Sequence, residues 1–139
     1  DVCSSDLAAA QEIANLGTWE KRSGFTPSSA VPVKVHGDEA LLSSWRLLLD
    51  HGSLQDGEPN LAGTAHPSVA VISPERAVSL RVTNGDLLRI STRDGWIMLP
   101  CVIEDIDKDT IWVPRNSSGS RVIATLGVAS GAAVSVVKA

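Results

Sequence analysis

One pattern occurs twice in this 139-residue chain and limits its fold more than any other feature. Leu80-Arg81-Val82-Thr83-Asn84-Gly85-Asp86-Leu87-Leu88-Arg89-Ile90 returns as Leu126-Gly127-Val128-Ala129-Ser130-Gly131-Ala132-Ala133-Val134-Ser135-Val136. The shared frame is Leu-x-Val-x-x-Gly-x-x-apolar-x-apolar. Each copy follows helix signals. Ser73-Pro74 supplies an N-cap with proline at the first helical position, opening a short helix through Leu80. A second short helix spans roughly Arg121–Leu126 and stops at Gly127. Helix, glycine turn and strand therefore appear twice, which predicts two halves related by a pseudo-twofold axis. Closing them into a small barrel removes strand edges that would otherwise invite aggregation. Gly85 and Gly131 are the structural turn glycines. Asp86, next to the first, is expected to accept backbone N–H bonds and fix the chain crossing, whereas Ala132 stands at its place in the second copy.

Between the copies the chain reads as short strands and turns. Val69–Ile72 is a buried-strand run, and Leu87–Thr92 pairs with Trp96–Ile103 through an Arg93-Asp94-Gly95 hairpin turn. Asp105–Asp109 turns, Ile111–Val113 is a strand, Asn116–Ser120 is a polar loop, and Ala133–Val137 closes the chain. Upstream, Asp6–Leu16 is a helix with Asp6 as N-cap, Ala9, Ile13 and Leu16 on one face, and Gly17 as its stop. Residues 20–39 carry Gly24, Pro27 and Pro32 and read as a linker. The expected organisation is thus an N-terminal helix over 1–19, a linker over 20–39 and a barrel over 40–139. The opening Asp1-Val2-Cys3-Ser4-Ser5-Asp6-Leu7 resembles a translated sequencing adapter. It is expected not to be native, so that the helix ends a domain lying upstream.

Charge and cysteine usage narrow the function. The formal net charge is −4, with 12 basic against 16 acidic residues, so no excess of cations exists for sequence-independent nucleic-acid binding. No apolar stretch approaches the ~18 residues of a membrane span, and no direct membrane insertion is expected. Cys3 and Cys101 are too far apart in sequence for a metal knuckle, and Cys101 reads as a small core residue. His36, His51 and His66 are spaced unlike zinc ligands, and no metal site is expected. Glu104, Asp105, Asp107 and Asp109 lack the glycine and final glutamate of a calcium loop and read as a solvated turn.

Particular segments resemble a known family. Val71-Ile72-Ser73-Pro74-Glu75-Arg76-Ala77 and Val82–Gly95 resemble the C-terminal molybdopterin-dinucleotide-binding domain of molybdenum oxidoreductases. Within it, Leu41–Arg46, Gln55–Ala65 and Ile111–Ser117 are similar to the end of the G subunit of actinobacterial NADH-quinone oxidoreductase. The resemblance implies a mainly β fold, a six-stranded double-psi β-barrel with short helices. It also implies a scaffold in the peripheral arm of respiratory complex I with no catalytic group of its own. The partners would be N-terminal domains of the same chain, which would carry the iron–sulfur clusters, and other peripheral-arm subunits. The location would be the cytoplasmic face of the plasma membrane.

The same resemblance points to candidate cofactor residues. In related molybdoenzymes the segment matching Leu42–Arg46 lies near the cofactor's phosphate or guanine, so Ser44 and Arg46 are candidates, a guanidinium offering a fork for phosphate oxygens. Trp45 stands where those enzymes carry glycine, and its indole is expected to obstruct that approach. Trp45 would then pack the barrel and Arg46 would pair with a carboxylate. Asn116 and Ser117 match a loop that approaches the pterin, with Ser120 capping the helix behind it. These positions suit an ancestral site that has been altered. The alternative is a barrel that still binds molybdopterin guanine dinucleotide, as in formate dehydrogenase- or nitrate reductase-like enzymes; a third reading is a free-standing binding module. Trp19, Trp45, Trp96 and Trp112 supply large apolar area, and any left exposed would suit a contact with other domains.

Overall fold

A computed structural model describes residues 2–17, 33–52, 55 and 57–139, residues 2–7 by their backbone alone. Trp19, Asp56 and most of the expected linker lie outside the described residues. The chain divides into two units, Asp1–Val31 and Pro32–Ala139. The first holds helix α1, Val2–Asn15, which starts before the expected Asp6 cap and ends ahead of Gly17 at φ 72°. On its expected apolar face, Ile13 and Leu16 are exposed.

The second unit is a closed barrel of six strands: β1 (Glu39–Trp45), β2 (Ala70–Ile72), β3 (Leu87–Ser91), β4 (Trp96–Ile103), β5 (Thr110–Pro114) and β8 (Ala133–Lys138), in the order β1-β5-β2-β4-β3-β8. Short helices α2 (Pro59–Ala62) and α3 (Pro74–Leu80), a two-stranded hairpin of β6 (Asn116–Ser117) and β7 (Ser120–Arg121), and a π-helical turn at Val122–Leu126 complete it. Side chains alternate in and out along the strands, so one residue in two fills the interior. Leu42, Ile72, Leu88, Ile90, Leu99, Ile111, Val134 and Val136 form its centre.

The strand register makes the repeat physical. Ile90 lies directly opposite Val136, its own counterpart in the second copy. A twofold operation that exchanges the copies must therefore pass between these two residues. It exchanges β1 with β4 and β2 with β5, and on the far side Val71 faces its own counterpart Trp112. The crossings repeat as well. Gly85 N–H donates to Cys101 O and Cys101 N–H to Asp86 O; Gly131 N–H donates to Leu42 O and Leu42 N–H to Ala132 O. Gly85 and Gly131 have φ of 90° and 92°, which a side chain would strain. The halves differ between β5 and the π-helical turn, where the β6–β7 hairpin is inserted. In the first half, β2 runs straight into α3 through Ser73, whose hydroxyl caps Arg76 N–H at 3.1 Å.

Asp86 follows the first of these turn glycines. Its carboxylate accepts from the Thr83 backbone N–H at 2.8 Å and the Lys138 ammonium at 3.0 Å. The Thr83 N–H, followed by Lys138, holds its pKa below the ordinary carboxylate value. A carboxyl with a lowered folded-state pKa contributes stability above its unfolded pKa, and loses it as pH falls through the folded value. Asp86→Ala is therefore expected to lower the thermal midpoint near neutrality. The gap to wild type should close in acid; an equal midpoint at pH 7 would remove the assignment. Cys101 is fully buried, its thiol donating to Thr83 O at 3.0 Å, and burial pushes its pKa up.

Candidate functional site

The inserted hairpin builds one side of an open concavity on the barrel unit. Gly119, at φ 74°, turns the chain between β6 and β7, and Asn116 then faces Arg121 across the pair. Arg115 precedes the hairpin and Arg121 ends it, so a local turn brings two guanidinium groups to one opening. Arg46 follows β1, which runs parallel to β5, with Arg115 N–H donating to Trp45 O at 2.9 Å. The result is an open cleft of about 560 Å³ lined by Arg46, His51, Arg115, Asn116, Arg121 and Ile123.

The charges in this cleft are not equivalent. Arg46 is clasped by Asp50, Nε to Oδ2 at 2.6 Å and Nη2 to Oδ1 at 2.9 Å. The Arg46 hydrogen bond holds the Asp50 pKa below its ordinary value, and Asp50 raises that of Arg46. Gly52 lies against this clasp: a Cβ there would come 2.5 Å from Arg46 Nη2. Arg115 and Arg121 are exposed and form no ion pair among the described residues. The cleft thus offers an anion two cations that are uncompensated among the described residues.

Of the four candidate residues, the structure brings Arg46 and Asn116 to this cleft and sends the others elsewhere. Asn116 donates from Nδ2 to His51 O at 3.0 Å and accepts from His51 N–H at 2.8 Å. Ser44 is tied to Ser130 beside the second glycine turn, hydroxyl to hydroxyl at 2.9 Å. Ser117 is buried, its Oγ without a partner among the described residues, and it lines a smaller pocket of about 140 Å³ with Asp50, His51 and His66. Arg115, Arg121 and His51 are not among the candidates that the sequence suggests. The two arginines flank what reads as a polar loop, and only the hairpin turn makes them neighbours.

Two expectations need correction. Trp45 does not obstruct the cleft. Ala40 and Leu42 point inward, so the odd positions of β1 point outward, and the indole lies on the barrel's outer face against Trp112 with ring centroids 4.1 Å apart. Nor does Ser120 cap a helix: its hydroxyl donates to Pro114 O, and the following π-helical turn has no side-chain cap. That turn is too short to focus a helix dipole on an anion. The expected pairing of Arg46 with a carboxylate is what the structure contains. Among the described residues, no group of three or more His, Cys, Asp or Glu side chains is arranged to hold a metal. No described helix is long and apolar enough to cross a membrane.

Comparison with known proteins gives the chain its relatives. No protein-family profile matches it. The G subunit of NADH-quinone oxidoreductase from Mycobacterium tuberculosis is 41% identical over 131 residues, 93% of this chain and 16% of that protein. The equivalent protein of Streptomyces coelicolor is 38% identical over 128 residues, 90% of this chain and 15% of that protein. The chain therefore spans about one sixth of the length of these curated relatives. Among solved structures, a rationally designed double-psi β-barrel superposes with a TM-score of 0.50 at 16% identity, covering 73% of this chain and 96% of the other. That likeness concerns the fold. The chain is a double-psi β-barrel related in sequence to a segment of the G subunit of NADH-quinone oxidoreductase.

Proposed function

We propose that the barrel is a non-catalytic scaffold module of a protein of this G type, working within the peripheral electron-transfer arm of an NADH-quinone oxidoreductase. The observation that carries this reading is the 41% identity across nearly the whole chain to a component of such an enzyme. The fates of the candidate residues support it. Ser44, Arg46 and Asn116 each hydrogen-bond a protein partner, Ser130, Asp50 and His51, as in an ancestral ligand site turned to internal bracing. A scaffold also needs a face to dock, and the outer side of β3, β4 and β8 supplies one. Leu87, Trp96, Met98 and Val137 are exposed there around Arg89, whose guanidinium sits 5.3 Å from the Trp96 ring centre. In this reading that face meets other parts of the same assembly, and the iron–sulfur chemistry lies in those parts.

The test is assembly in the organism that carries the chain. Affinity-tagged protein is expected to co-migrate with NADH-oxidising activity on native gels of detergent-solubilised membranes. Met98→Lys, which sets a second cation directly opposite Arg89 on the exposed face, should cut the co-migrating fraction by about tenfold, since a buried unpaired charge at an interface costs several kcal/mol. Its melting temperature should stay near wild type. Tagged protein that migrates alone would remove the proposal.

The open basic cleft favours a second reading, a retained site for molybdopterin guanine dinucleotide. Arg115 and Arg121 would hold its phosphates, the guanidinium forks matching phosphate oxygens. The cofactor itself would supply molybdenum redox chemistry; these residues would bind and orient it. Calorimetric titration with GDP separates the readings. Saturable binding lost in Arg115→Ala/Arg121→Ala supports this one, and its absence leaves the scaffold.

A further inference from the structure

A second concavity lies on the outer face of β1, β5, β2 and β4, apart from the basic cleft. The registers place Ser43, Trp112, Val71 and Val102 in one row across these strands. Trp45, Val71, Val102, Ile106 and Trp112 line a groove of about 320 Å³, with Glu104 at its rim. Three properties say what would fit it. The groove is floored by aliphatic side chains and two indoles in contact, their planes tilted by 36°, apolar surfaces suited to rigid apolar ligands. Trp112 is only 8% exposed, and its Nε1–H has no acceptor among the described residues. A buried indole N–H ordinarily finds a partner; this one is sealed from solvent and lacks it. Finally, the rim is acidic. Glu104 and its neighbour Asp105 are exposed and form no ion pair among the described residues.

The closed barrel removes the other common way of gripping a peptide. None of its six strands has a free edge, so an added β-strand has no barrel ladder to join. A polyproline-II segment needs none. It has no internal hydrogen bonds, it presents its carbonyls outward, and it loses little entropy on docking between aromatic rings. We infer that the Trp45–Trp112 groove is a docking site for a proline-rich segment of a partner protein carrying lysine or arginine. Its prolines lie on the exposed Trp45 indole, and its basic side chains meet Glu104. Trp45 is 57% exposed, so one face of its indole is open to the segment.

The probe is a short synthetic polyproline peptide ending in lysines, titrated into the whole chain while tryptophan fluorescence is followed. The control is the same peptide ending in glutamates. The lysine peptide should give a saturable spectral change and bind at least about tenfold tighter than the control. Trp45→Ala, at an exposed position, should weaken binding by a similar factor, and Glu104→Lys should reverse the preference between the peptides. No saturable change with the lysine peptide, equal binding of both peptides, or unaltered binding to Trp45→Ala would overturn the proposal. Calorimetry of the same pairs supplies the affinity of the variant that lacks one reporter indole.

Discussion

Arg76→Met is expected to destabilise the barrel by roughly 3 kcal/mol or more, a large fraction of the total stability of a domain this size. Arg76 lies on α3 and is only 7% exposed. Its guanidinium donates to three backbone carbonyls that lie far from it in sequence: Lys108 O from Nε at 3.2 Å, Gly37 O from Nη1 at 3.2 Å and Glu39 O from Nη2 at 2.8 Å. Those carbonyls belong to the chain entering β1 and to the turn entering β5. The two strands are parallel neighbours, so no hairpin can join them, and the side chain does what a hairpin would do. Methionine keeps much of the apolar stem but leaves three carbonyls without their donor, each costing about 1–3 kcal/mol if it stays dry. Lysine restores the charge without the planar fork and should recover less than half of the loss. Denaturant unfolding of the three proteins decides it. A midpoint for Arg76→Met within error of wild type would mean that water replaces the guanidinium at no net cost.

The repeat is legible in the sequence because its signals are local. A glycine turn flanked by apolar positions is required wherever the chain must cross at positive φ, and this fold requires it twice. The short strands after Ser68 are legible for the same reason. Strand β1 is not: Glu39–Trp45 follows a stretch that reads as linker, and Ser43 and Ser44 break its apolar pattern. What makes it a strand is β5, far along the chain, which no local periodicity reports. The candidate site is legible in half. Arg46 and Asn116 share the cleft, but its free cations, Arg115 and Arg121, need the hairpin turn at Gly119 to become neighbours. Analogy with a glycine misplaces Trp45, although parity alone puts it outside. Leu42 is inward, Ser44 shares its side of the strand, and Trp45 cannot.

The largest core effect should come at the pseudo-twofold axis. Ile90 and Val136 are both completely buried and lie opposite each other in adjacent strands, each the other's counterpart in the repeat. Ile90→Ala should cost about 3–4 kcal/mol, combining lost transfer energy with a cavity that a closed barrel has little freedom to collapse. Val136→Ala, a smaller deletion, should cost less. Because the two cavities meet across the axis, the double variant should depart from additivity by at least about 0.5 kcal/mol, as neighbours in one packing unit do. Exchanging the pair, Ile90→Val with Val136→Ile, keeps total volume and side-chain class at one place in the core. It should fold within about 1.5 kcal/mol of wild type. Strict additivity of the two alanine variants would mean that the residues do not share a packing environment. A severe loss in the exchanged protein would mean that the halves have diverged too far for their axial residues to be interchangeable. The register shows where the symmetry runs; the exchange measures how much of it survives in the packing.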